Sequence, residues 1–240
     1  MKLATHTVVG FPNKKTSEKI IEVLAKHSAI VELQIPFSDP VADGPVIAAA
    51  NSVALNQGVT PQACLDVVAK FARKFSQTDF YLMSYFNPLL RFGLAKFARL
   101  ASQAGVRGFI VPDLPVEEAA DLLKICDKNS LQLIFVVAPN TPDSRLKLIA
   151  QRSTAWIYAT ARLGITGSAT KIGSELKKCI ARIRKFSKAE IGIGFGVKNS
   201  ADVKKIKQAG GDIAIIGSEL FRQFEKGGVR QLERFLKKLR

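Results

Sequence analysis

Short apolar, β-branched runs alternate with longer segments of helical period along the whole chain. Eight such runs stand out: Thr7–Val9, Ile30–Ile35, Phe80–Met83, Gly108–Val111, Leu133–Val137, Ala155–Tyr158, Ile191–Gly194 and Ile213–Ile216. Between them, apolar residues recur at helical spacing, as at Ile20, Ile21, Val23 and Leu24, and again at Leu122, Leu123 and Ile125. Helix starts are marked by Pro115 ahead of Val116, Glu117 and Glu118, and by Asn199 three residues before Asp202. Near-continuous apolar strands alternating with helices predict a parallel sheet covered on its outer face. Eight repeats of the unit predict a single (β/α)₈ TIM barrel over residues 1–240, with no linker to divide it. The segment from Gly227 to the end reads as an amphipathic helix, with Leu232, Phe235, Leu236 and Leu239 on the face that closes the barrel.

Composition narrows the picture. The 240 residues suit one barrel, and 47% apolar residues supply a core. No apolar run is long enough for a membrane span or a signal peptide. Cys64, Cys126 and Cys179 lie far apart in helical segments, and the only histidines are His6 and His27. These are expected to be reduced thiols of a cytoplasmic protein with no metal site. The net charge of +16 admits nucleic-acid binding or steering of an anionic substrate. The lysines are scattered without interleaved aromatics, however, and read as solvated helix faces.

Barrel chemistry sits at the C-terminal ends of the strands. After the second strand the chain reads Glu32-Leu33-Gln34-Ile35-Pro36-Phe37-Ser38-Asp39-Pro40-Val41-Ala42-Asp43-Gly44-Pro45. A carboxylate such as Glu32 inside an apolar strand is costly unless it is paired or functional. Burial favours the neutral acid, and so suits it to hold and release a proton near neutrality. Asp39 and Asp43 fall among prolines and glycines, where acids either make turns or do chemistry; the residues alone leave both open. Glycines follow the last three strands, at Gly164 to Gly167, Gly194 to Gly196, and Gly217 with Ser218. Backbone amides there, one set opening a helix, predict a phosphate site.

These residues resemble a known family. The segment from Val31 to Pro45 is similar to the signature of tryptophan synthase α-subunits. The likeness continues through Tyr85-Phe86-Asn87-Pro88, Val111 to Pro115, Ala138 to Pro142, Gly164 to Gly167, Gly194 to Gly196, and Gly217-Ser218. The resemblance implies retro-aldol cleavage of indole-3-glycerol phosphate to indole and glyceraldehyde 3-phosphate, with no cofactor. It assigns acid–base work to Glu32 and stabilisation of positive charge at the indole nitrogen to Asp43. It assigns phosphate binding to Gly167, Gly196, Gly217 and Ser218, the indole pocket to Tyr158 and Phe195, and a closing loop to Thr166. It also implies a β-subunit partner, itself carrying pyridoxal phosphate, in an αββα complex. A stand-alone lyase, or a weakly active subunit that mainly binds and activates a β-subunit, would carry the same residues. Another phosphate-binding barrel would share the glycines without the Pro36 to Pro40 segment. Neither nucleic acid nor membrane is an expected partner.

The chain departs from that pattern at His6, where the family has an aromatic residue, at Val8, often Thr, and at Gln34, usually Gly. A side chain at Gln34 is expected to shift Glu32 or to hydrogen-bond to it. The chain also opens almost on its first strand, where the family carries a leading helix.

Overall fold

The computed structural model describes residues 1–160, 174–194 and 196–239. The strands are β1 (Lys2–Val8), β2 (Ile30–Gln34), β3 (Asp79–Met83), β4 (Gly108–Ile110), β5 (Gln132–Ile134), β6 (Val136–Val137), β7 (Ile157–Thr160), β8 (Ile191–Gly194) and β9 (Ile213–Ile216). All pairings are parallel, in the order β5-β4-β3-β2-β1-β9-β8-β7-β6. The fifth apolar run is interrupted at Phe135. Its first half pairs with β4 and its second with β7, so one broken strand completes the eight-staved circuit. The first strand begins well before the predicted Thr7: it runs through Leu3, Ala4, Thr5 and His6, where polar residues conceal the apolar pattern.

The helices are α1 (Lys14–His27), α2 (Pro45–Asn56), α3 (Pro61–Lys74), α4 (Phe86–Phe92), α5 (Leu94–Gln103), α6 (Ala120–Lys128), α7 (Asp143–Arg152), α8 (Ser174–Arg184), α9 (Ser200–Gln208) and α10 (Ser218–Lys237). Three of them, α1, α3 and α9, open on side-chain caps. Asn13 accepts from the Thr16 amide at 2.9 Å, Thr60 from Ala63 at 3.2 Å, and Asn199 from Asp202 at 3.1 Å. The Pro115 signal opens a single 3₁₀ turn, Val116–Glu118, which leads into α6. The last helix is broken by non-helical backbone at Gly227 and Gly228. Beyond the break, Leu232, Phe235, Leu236 and Leu239 are buried, and the helix packs on α1 beside β1.

Strand alternation sorts side chains into two cores. Outward residues such as Val31, Leu33, Phe80, Leu82 and Ile193 meet the helices in the main core. Inward residues Ala4, Ile30, Tyr81, Ile110, Ile134, Trp156, Ile213 and Ile215 fill the barrel. The Tyr81 hydroxyl donates to Gln132 within that filling. The three cysteines are free and buried, and burial pushes the Cys126 thiol up to about 12. No described helix is long and apolar enough to cross a membrane.

Candidate active site

The inward face of β2 carries Ile30, Glu32 and Gln34, while Val31 and Leu33 face the helices. Pairing sets Glu32 between His6 of β1 and Tyr81 of β3. Glu32 is 0% exposed, and among the described residues neither of its carboxylate oxygens has a hydrogen-bond partner. Among the described residues its cationic candidate is His6, whose Nδ1 stands 3.4 Å from Oε2 and whose Nε2 is also without a partner there. Such a carboxyl group keeps its full hydrogen-bonding capacity for whatever enters the barrel mouth.

The loop from Phe37 to Gly44 is wound into turns. The Val41 amide donates to the Asp39 carbonyl and the Asp43 amide to the Pro40 carbonyl, both at 2.9 Å. Gly44 then caps α2, with Pro45 as its first residue. The structure separates the two acids of this loop. Asp39 is exposed and takes the Ser38 hydroxyl, a turn-forming role. Asp43 is half-buried, and its Oδ2 accepts from Gln34 Nε2 at 2.7 Å and from the Tyr85 hydroxyl at 3.1 Å. Tyr85 in turn accepts the Ala42 amide at 3.0 Å and stacks on Phe37. Burial, then the Asp43 carboxylate, hold the Tyr85 phenol protonated well beyond its ordinary range. Gln34 was expected to act on Glu32; its amide reaches Asp43 instead.

Tyr158 rises from β7 into the same space. Its phenol is pushed well above the usual tyrosine range, first by burial and then by the Glu32 and Asp43 carboxylates, which both lie near it. The ring fits only because β8 offers glycine there: a Cβ on Gly194 would lie 2.6 Å from Tyr158 Cε1 and 2.8 Å from its oxygen. Gly194 was read with the phosphate glycines, but its backbone is covered by this ring. One rung lower, Gly192 makes room for Trp156 in the same way, at 2.7 Å.

Of the predicted phosphate residues, Gly217 is the N-cap of α10 with no side-chain cap, and Ser218 is the first helical residue. Around a Cβ built on Gly217 the nearest atoms are Ile47 Cδ1 at 3.7 Å and His6 Cβ at 4.0 Å, so this helix start adjoins the strand that carries His6. Gly196 adopts φ +59 with open space around it, a left-handed conformation that favours glycine. Thr166, Gly167 and Phe195 lie outside the described residues.

Other motif residues serve the scaffold. Asp113 accepts the Phe86 amide at 3.0 and 3.1 Å and so caps α4. Arg182 of α8 ties down the loop from Pro139 to Asp143 through two carbonyls and the Asp143 carboxylate. Val8 packs with Ile47, Ala50 and Phe221. Nothing in the sequence marks the roles of Tyr85 and Asn51. Asn51 is buried and joins the Gln34 amide to the Phe37 backbone. Among the described residues no cluster of three or more metal-ligating side chains occurs.

An eight-staved parallel barrel with two acidic side chains, Glu32 and Asp43, toward the C-terminal ends of its strands belongs to the (β/α)₈ class, whose sites lie at that end. The sequence model described as tryptophan synthase alpha chain matches residues 1–239. The chain belongs to that family. It is 40% identical over 239 residues to the tryptophan synthase alpha chain of Syntrophotalea carbinolica, covering 99% of this chain and 94% of the relative. It is 41% identical over 233 residues to that of Methanocaldococcus jannaschii, covering 95% and 83%. Among solved structures it resembles tryptophan synthase of Mycobacterium tuberculosis, with a TM-score of 0.92 and 31% identity over 99% of this chain and 90% of that one. The tryptophan synthase α2β2 complex of Pyrococcus furiosus gives a TM-score of 0.92 and 30% identity over 99% and 97%.

Proposed function

We propose that the chain cleaves indole-3-glycerol phosphate to indole and glyceraldehyde 3-phosphate. The observation that carries this reading is Glu32: a fully buried, inward carboxyl group with both oxygens unpartnered among the described residues. A fold tolerates such a group where a reaction uses it. Glu32 delivers a proton to the indole ring at C3 and accepts one from the side-chain hydroxyl next to it. The bond between ring and side chain then breaks. Its electron pair returns to the ring, and the hydroxyl carbon becomes the aldehyde. Protonating C3 puts positive charge on the ring nitrogen. Asp43 receives that N–H through Oδ1, since both of its described donors engage Oδ2. Tyr158 flanks the ring. The phosphate is held by backbone amides at Gly217 and Ser218, with Gly196 alongside; by family likeness Gly167 joins the phosphate site, Phe195 lines the indole pocket and Thr166 belongs to the closing loop.

The step needs no cofactor in this chain, because protonated indole is itself the electron sink. We infer a β-subunit partner, supported by the likeness to the P. furiosus complex, and a cytoplasmic location, supported by three buried free thiols. The test is steady-state indole release, measured without serine and with increasing β-subunit. Glu32→Gln and Asp43→Asn are each expected to lower turnover by about 10²–10⁴-fold, the range for acid–base groups. Near wild-type turnover in Glu32→Gln excludes the mechanism. High activity alone with no response to a β-subunit favours a stand-alone lyase.

A further inference from the structure

Asp43 sits in a loop that offers little to aim its side chain. The backbone turns there set the chain's path, and what fixes the carboxylate comes from outside the loop: the Tyr85 hydroxyl donates to Oδ2 at 3.1 Å, and Gln34 donates to the same atom more closely. Gln34 is 0% exposed on the inward face of β2, and its Nε2 lies 2.7 Å from Asp43 Oδ2. The orientation of that amide is not arbitrary. Asn51 donates Nδ2 to the Ile47 carbonyl at 2.9 Å, which turns its Oδ1 toward the loop, where it accepts the Phe37 amide at 3.0 Å. The same Oδ1 stands 3.4 Å from Gln34 Nε2. Gln34 therefore faces two acceptors, Asn51 Oδ1 and Asp43 Oδ2, and only its NH₂ group satisfies both. Its own Oε1 is left buried without a partner among the described residues. A chain that leaves one end of a buried amide unsatisfied in order to donate with the other is using the donor.

We propose that Gln34 is a positioning residue for Asp43: a donor on the rigid strand, locked by Asn51, that holds Asp43 Oδ2 and thereby presents Oδ1 to the substrate's ring N–H. The inference rests on the reaction proposed above and adds a residue to it. Gln34 does not touch the substrate. It spares Asp43 a search among rotamers, and its effect falls on the step in which charge develops on the ring, more than on binding.

The test is a kinetic cycle in the full chain. Gln34→Leu keeps the bulk and removes the donor. It is expected to lower kcat for indole release by about ten- to a hundred-fold, the worth of one hydrogen bond to a charged group, with KM changed by less than about three-fold. In an Asp43→Asn background the same substitution is expected to have almost no further effect on kcat, because the group it positions no longer carries the charge. A purely structural role predicts additive losses and a fall in both backgrounds. Gln34→Glu, nearly the same shape but presenting an acceptor to two acceptors, is the second variant. It is expected to lower kcat at least as far as Gln34→Leu, and it covers the case in which the leucine chain does not fold. Outcomes separate the two claims. A wild-type chain that releases indole and loses it in Glu32→Gln, yet keeps its kcat in both Gln34 variants or loses it additively with Asp43→Asn, overturns the positioning role alone. A wild-type chain that releases no indole with or without a β-subunit overturns the reaction and the positioning role together.

Discussion

The isolation of Glu32 among the described residues predicts that the fold gains when the site is destroyed. Glu32→Met keeps nearly the same length and volume and removes two buried oxygens that have no partner among the described residues. A buried polar group left unsatisfied costs about 1–3 kcal/mol, more when charged. Little is lost in exchange among the described residues: the cationic candidate there, His6, is 3.4 Å away and does not form a well-placed hydrogen bond. The substitution is therefore expected to stabilise the chain by about 1–3 kcal/mol. For a chain of this size each kcal/mol moves Tm by about 2–4 °C, which gives a rise of about 2–12 °C with indole release abolished. Asn51→Leu provides the opposite sign by the same reasoning. Asn51 is buried with its partners in place, so its removal strands the Phe37 amide, takes an acceptor from Gln34 and is expected to lower Tm. Thermal unfolding followed by circular dichroism, with an indole assay on each variant, reads both effects. A fall in Tm for Glu32→Met means that the carboxyl group stabilises the fold, and the argument from its isolation is then wrong.

Three further outcomes follow from the same site. Gly194→Ala drives a Cβ to 2.6 Å from Tyr158 and must displace its ring; it is expected to cost about 1–3 kcal/mol of stability and as much as about a hundred-fold in kcat/KM. Gly192→Ala, crowding Trp156 one rung lower, should cost similar stability with a smaller kinetic loss, and the reverse ranking would misplace the site. Gly217→Asp has room for its Cβ and should raise KM by about ten-fold or more through repulsion of the phosphate, with Gly217→Asn, the uncharged side chain of the same size, milder; equal KM values locate the phosphate elsewhere. If the net charge of +16 steers the anionic substrate, kcat/KM falls between 10 and 150 mM salt, as the screening length drops from about 30 to about 8 Å, while kcat stays constant; a flat response leaves those lysines as solvated helix faces.

Much of the barrel was readable because its strands are buried on both sides and so appear as unbroken apolar runs. β1 was placed late because Thr5 and His6 interrupt its run, although Thr5 is turned outward to Ser28 and His6 inward to Glu32. β5 and β6 were read as one strand because a backbone break at Phe135 leaves no mark on composition. The phosphate glycines were grouped by position alone, and sequence cannot separate Gly194, which yields space to a ring, from Gly196, whose φ of +59 reflects backbone need.

The pair Glu32 and Gln34 was the one signal for the inner site that period-2 alternation could have delivered in full. Two polar residues spaced by two in an apolar strand must share a face, and in a closed parallel barrel flanked by helices that face is the interior. What alternation could not tell is that the two meet different fates. Glu32 finds no donor among the described residues, whereas Gln34 is engaged by a loop residue nine positions on and by Asn51 in the following helix. That difference depends on where α2 begins, and Gly44 and Pro45 decide it by starting the helix directly after Asp43. The loop motif therefore acts through its backbone as much as through its acids. Its prolines and glycine set the point at which a flexible segment becomes a helix, and so set which carboxylate the strand's amide can reach.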